Sequence, residues 1–239
     1  MRMRWGVMSG ALLGLVVGCA SQKPVQKVDD SGLARLDQEQ MQPVDDARIE
    51  EGHAHDALAK ARANEAQTRS RYEVAKSERD VAEAQLKRST AERDMLKKQY
   101  ADRDAVAHAE NDIKGSEERI KATDLKLEYL KRMIDVSVTD RELAEAHIAT
   151  AAAMTDQAKY RAMKAGNAPQ VEAVNGAAID GRVAEAQVKE GQLRKEAADQ
   201  RSGAVDLYNR WQQLDAQVRT TARPENLPVT APTMSEPNK

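Results

Sequence analysis

Between Val44 and Arg223 the chain carries one proline, Pro169. Proline removes a backbone donor and clashes with the preceding helical turn, so its near-absence leaves this long stretch free to form long helices. The residues that fill it, chiefly Ala, Glu, Lys, Arg and Gln, are good helix formers. The other prolines, at 24, 43, 224, 228, 232 and 237, bracket the stretch. Residues 19–43 therefore read as a tether, and residues 223–239, "RPENLPVTAPTMSEPNK", as a disordered Pro-rich tail.

What the helices can bury is limited. There is no Phe, aromatics make up 3% of the chain, charged residues reach 32%, and much of the 41% apolar share is alanine. Alanine buries little area, so a long thin helical body is favoured over a globule. No strand pattern is evident. Acids and bases are interspersed around a net charge of −2, which gives no basic face for nucleic acid and no acidic tail for cations.

Heptads support this reading. From Ile113 a seam passes through Ile120, Leu127, Ile134, Arg141 and Ile148, with companions Thr123, Leu130, Ser137, Ala144, Ala151 and Ala158. A second runs from Ile179 through Val183, Ala186, Glu190, Leu193, Ala197, Gln200, Ala204 and Leu207 to Trp211, Leu214 and Val218. The first segment is poorer. Leu58, Ala61, Tyr72, Ala75, Ala82, Leu86, Leu96 and Tyr100 fit one stripe, but Glu65, Arg79 and Arg93 interrupt it, which predicts weak packing.

Turn chemistry divides the rod. In "KAGNAP", Gly166 reads as a left-handed helix end and Pro169 as the start of the next helix. Asn111, Gly115 and Ser116 read as an earlier break, whereas Thr139 and Glu142, though spaced like a capping box, are crossed by an unbroken heptad and read as helix interior. Helices are thus expected at about 44–110, 116–165 and 170–218, within a helical domain spanning 44–222. The fold class is all-α: an elongated antiparallel coiled-coil hairpin or a three-helix bundle. In this register Leu207, Trp211 and Leu214 meet Ile120, Leu127, Leu130 and Ile134 in a clasp at the open end. Gly181 and Gly191 are expected to let backbones approach, and the tip near Gly166 to be looser.

No catalytic, cofactor-binding or metal-binding constellation emerges. His53 and His55 are two apart and face different ways on a helix, while His108 and His147 stand alone; all four read as exposed. Glu117-Glu118 and Asp45-Asp46 lie at expected helix starts, where the macrodipole favours acids. Acid–base catalysis needs a partly dry pocket that this composition builds poorly, so the chain reads as a non-enzyme.

The first residues carry the most specific pattern. Met1-Arg2-Met3-Arg4 is a positive n-region, and Trp5 to Val17 is an apolar stretch too short to span a bilayer. Val16-Val17-Gly18-Cys19 resembles the bacterial lipobox, and Cys19 is the sole cysteine. The resemblance implies a signal peptide at 1–18, diacylation of the Cys19 thiol, cleavage before it and acylation of the new amino group. Several acyl chains anchor a protein without a membrane span. Loss of Arg2 and Arg4 leaves 35 basic against 39 acidic side chains, a net charge of −4, and one cysteine permits no intrachain disulfide. Ala20 and Ser21 follow Cys19 where retained enteric lipoproteins carry Asp, which implies the outer membrane, facing the periplasm, with the inner membrane as the alternative.

Residues 142–200 are similar to the Ala-rich hairpins of periplasmic efflux adaptors and to an uncharacterised family of Ala-rich helical envelope lipoproteins. The adaptors carry flanking β-rich domains for which this chain has no strands. The C-terminal Lys239 resembles the lysine by which murein lipoprotein joins peptidoglycan, although Asn238 and the preceding "SEP" depart from that family's ending. The expectation is a lipid-anchored periplasmic coiled-coil lipoprotein serving as a structural or interaction module. Its expected partners are the membrane, through the lipid on Cys19, and an envelope protein, with a homo-oligomer left open. Two alternatives remain: an accessory of an export or efflux assembly that docks through Gly166, Asn167, Ala168 and Pro169, and a peptidoglycan tether through Lys239. No cofactor is expected.

Overall fold

The proline-poor stretch, together with the residues just before it, folds as three long helices: α1, Gln38–Lys98; α2, Arg103–Ala165; and α3, Gly176–Thr221. The computed structural model describes residues 27–221, so the expected signal peptide and tail lie outside the described residues. The fold is all-α and antiparallel. Helices α1 and α3 each pack along α2 but hardly on each other, so α2 is the middle of a three-helix layer. That position explains its composition: Ser137, Ala144, Ala146, Thr150, Ala151, Ala153 and Thr155 are buried there, small side chains that admit a neighbour on either flank. Buried hydroxyls are satisfied within the helix, as where Thr150 Oγ1 donates to the Ala146 carbonyl at 3.1 Å.

The chain turns between α1 and α2 at 99–102, not at 111–116 as the sequence suggested. Helix α2 runs through Asn111, Gly115 and Ser116: Ser116 Oγ donates to the Asp112 carbonyl at 2.8 Å, and nothing lies within 4 Å of a Cβ built on Gly115. The observed turn holds neither Gly nor Pro. Tyr100 takes its left-handed position, φ 52°, which costs a non-glycine residue roughly 1 kcal/mol. The turn is set by where α1 and α2, at 61 and 63 residues, can pair along their full lengths.

The second connection differs in detail. Gly166 has φ −83°, and the left-handed residue is Asn167, φ 52°. Pro169 opens a short 3-10 helix, Pro169–Ala173, instead of α3. Helix α3 starts at Gly176, with Asn175 Oδ1 accepting from the Ala178 amide at 3.2 Å.

The charged interruptions of the α1 stripe are partly resolved by the tertiary structure. Arg141, which occupies a seam position of α2, donates from Nε to Glu65 Oε2 at 3.0 Å, and Arg79 Nε donates to Asp124 Oδ1 at 2.6 Å. Residues that look like breaks in an apolar seam are thus cross-helix ion pairs. Arg93 instead pairs with its neighbour Asp94. The fitted stripe ends before Tyr100, which is 96% exposed.

The glycine expectation is corrected. Gly181 and Gly191 face open space, and it is Gly203 that turns toward α2, beside Arg132. The clasp forms as expected, with Leu130 and Trp211 buried. It gains an aromatic cluster: Trp211 stacks on Tyr129 with centroids 5.9 Å apart and meets Tyr208 edge-on at 5.6 Å.

The other end is not looser, and residues 27–37 are not a tether. Asp37 and Gln40 form a capping box, Gln40 N donating to Asp37 Oδ1 at 2.8 Å and Asp37 N to Gln40 Oε1 at 3.2 Å. Helix α1 therefore begins before Pro43 and carries it, at the cost of one backbone hydrogen bond. Ahead of it a 3-10 helix, Asp30–Arg35, folds back as a strap. Val28 and Leu33 of the strap, with Val44 of α1, bury against Ala162, Met163, Ala168 and Ile179. This cluster offsets the proline: Val44, beside it, is fully buried.

Candidate functional site

Of the residues singled out in the sequence, Cys19 and Lys239 lie outside the described residues. The tip, Gly166 to Pro169, lies within them and is occupied by the chain itself. A Cβ on Gly166 would collide with the Leu36 side chain of the strap, and Ala168 is buried. Only Asn167 and Pro169 of the four are exposed without such cover.

Charges hold the strap in place. Asp30 Oδ1 lies 2.6 Å from Lys159 Nζ, and its Oδ2 accepts from Arg48 Nη2 at 3.1 Å. The Lys159 hydrogen bond, against a smaller opposing effect of burial, holds the Asp30 carboxyl below the usual carboxylate range, with Arg48 assisting. Val28 N donates to Asp156 Oδ1 at 3.4 Å, and Asp156 also pairs with Arg182 of α3 at 3.3 Å. The strap thus ties α1, α2 and α3 together at one end. Sequence reasoning missed it because two prolines dominated the reading of 19–43, yet the Asp37-Gln40 spacing was a visible helix-start signal.

A second three-helix junction centres on His147, which the sequence placed alone on the surface. Its Nε2 lies 3.5 Å from Glu50 Oε1 of α1 and its Nδ1 lies 3.3 Å from Glu190 Oε1 of α3. Nδ1 is buried without a well-aligned hydrogen bond. Glu190, itself largely buried, also accepts from Arg194 Nη2 at 2.8 Å. Each imidazole nitrogen addresses a different carboxylate, so the group bridges helices and does not chelate. Among the described residues no cluster of three or more His, Cys, Asp and Glu side chains could hold a metal ion.

Between α2 and α3, beside Lys27, lies an open groove of about 330 Å³. Its floor is Ala149, Ala152, Ala153 and Ala186, and its rim carries Asp156, Arg182, Glu185 and Lys189. It holds no nucleophile with an adjacent base. The far end, at 99–102, presents the exposed ring of Tyr100 on a rod about 90 Å long. No helix of the described residues is long and apolar enough to cross a membrane.

Comparison with protein-family models, with curated proteins and with solved structures found no match to this chain.

Proposed function

We propose that this protein is a lipid-anchored rod of the bacterial envelope, a periplasm-facing lipoprotein that serves as a structural or protein-interaction module and not as a catalyst. The observation that carries the reading is the end of the rod at which the strap begins. Cys19 lies eight positions before Lys27, a reach of at most about 28 Å. A lipid on Cys19 therefore holds the strap-capped end beside the bilayer and lets the 99–102 turn reach up to about 90 Å away. Short attachment and a long stiff body are what a spacer between a membrane and a distant partner requires.

The same geometry revises the transport-accessory alternative. Docking through Gly166 to Pro169 would occur next to the membrane and beneath the strap, so a partner held at a distance meets Tyr100 instead. Intact-mass measurement of the mature protein tests the anchor: the expected species begins at Cys19 and carries acyl chains, and an unacylated mature chain overturns the reading. Photoreactive residues placed at Tyr100 and at the exposed Asn167 in cells then separate the roles. A protein trapped from position 100 alone supports a distal partner, and one trapped from 167 alone refutes the orientation.

A further inference from the structure

Among the described residues no other helix covers the face of α3 turned away from α2, yet that face has the pattern of a helix-pairing seam. Alternating steps of three and four from Gly181 reach Val188, Lys195 and Ser202 at one heptad position and Ala184, Gly191, Ala198 and Val205 at the other, all of them exposed. Val188 and Val205 stand 60% and 55% exposed, large values for β-branched apolar side chains on a regular seam. A Cβ on Gly181 or Gly191 would meet nothing within 4 Å, so the backbone of an approaching helix is unobstructed there.

We propose that this face pairs with the same face of a second copy of the chain, in parallel, as a two-fold dimer. Charge selects both the partner and the direction. The positions flanking the seam on one side are Gln187, Arg194 and Arg201, and those on the other are Glu185, Gln192, Asp199 and Asp206. In a parallel pair, each residue of the first set meets the residue five further on in the other copy. Arg194 then faces Asp199, Arg201 faces Asp206 and Gln187 faces Gln192, each twice by symmetry. An antiparallel pair sets arginine against arginine and acid against acid, which disfavours it.

Arg194 and Arg201 already contact Glu190 and Asp140 within the chain, but their side chains are 72% and 54% exposed, so guanidinium donors remain turned outward. The seam stops toward the strap, where Asp180 would face Glu185. Lys195 within the seam keeps the association reversible, its ammonium leaving by the edge. Parallel pairing also keeps both strap ends at one membrane, a point that rests on the anchoring proposed above; the charge pattern does not.

The test uses the full chain carrying Cys19→Ser and Val188→Cys, so that position 188 holds the only thiol. Mild oxidation should trap a 188-to-188 disulfide dimer, whereas Val74→Cys, on the outward face of α1, should trap far less. In sedimentation equilibrium, Arg194→Glu should weaken association about fivefold by replacing two attractive pairs with repulsive ones, and adding Asp199→Arg to the same chain should restore it. A monomer at the highest soluble concentration, equal trapping at 188 and 74, or failure of the second exchange to restore association overturns the proposal. Both exchanges lie on an exposed helix face, and circular dichroism verifies that the variants fold. Because the measurement is made in solution, it stands or falls apart from the acylation of Cys19.

Discussion

Met163→Ala tests whether the strap end is a true core. Met163 is 1% exposed and sits between Leu33 and Val28 of the strap, Val44 of α1 and Ile179 of α3. The substitution removes Cγ, Sδ and Cε. At about 0.8 kcal/mol per buried methylene-sized group the lost transfer energy is about 2 kcal/mol. The residual cavity raises the loss to about 3 kcal/mol, because the strap and three helix ends cannot all collapse into it. For a chain of this size that corresponds to a fall in Tm of about 6–12 °C. Urea denaturation followed by circular dichroism measures the loss. Hydrogen exchange reads its location, and amides of 28–44 should lose protection before those near Trp211. Trp211→Ala, in the aromatic clasp on Tyr129, should cost about 3 kcal/mol as well. A loss below about 0.5 kcal/mol for Met163→Ala, with exchange in 28–44 unchanged, would refute the strap and return those residues to the role of a tether.

Other changes probe single features of the fold. Gly115→Ala should raise stability by about 1 kcal/mol in thermal or urea melts, since a helical glycine with open space around it gains from a Cβ; a turn at 111–116 would reverse the sign. Tyr100→Gly should also stabilise, by roughly 1 kcal/mol, by relieving a left-handed tyrosine at a fully exposed turn, and a loss would mean that the ring makes a contact of value. For Glu65, the hydrogen bond from Arg69 first, and then that from Arg141, lower its carboxyl below the usual value, with burial opposing. A depressed folded value means stability that is present above the unfolded range and lost as pH falls through the folded one. The advantage of wild type over Glu65→Gln should therefore be full at pH 7 and shrink from about pH 4.5 downward. Paired urea melts at pH 7 and pH 3 check this, and a difference independent of pH would remove the ion pair from the account.

Much of the architecture follows from local rules acting along the chain. Scarcity of proline, a surplus of helix formers and the 3.5-residue spacing of Ile120, Leu127 and Ile134 suffice for long antiparallel helices. The same spacing places Trp211 opposite the Leu127–Leu130 region. These are short-range properties, legible because backbone sterics and helical periodicity depend only on neighbours in sequence. Where the chain turns and what each face meets were decided by tertiary contact. The 99–102 turn has no glycine or proline to announce it, because its position answers to the paired lengths of α1 and α2. Glu65 and Arg141 look like flaws until the other helix supplies the opposite charge, and His147 looks solitary until Glu50 and Glu190 arrive from two directions. Residues 28–43 look like linker until Met163, Ala168 and Ile179 give their apolar side chains a surface to cover. A proline inside a helix and a tyrosine in a left-handed turn are each unfavourable by local rules. Both are held by burial and pairing between residues more than a hundred positions apart at the strap and dozens apart along the hairpin, which no window of sequence contains.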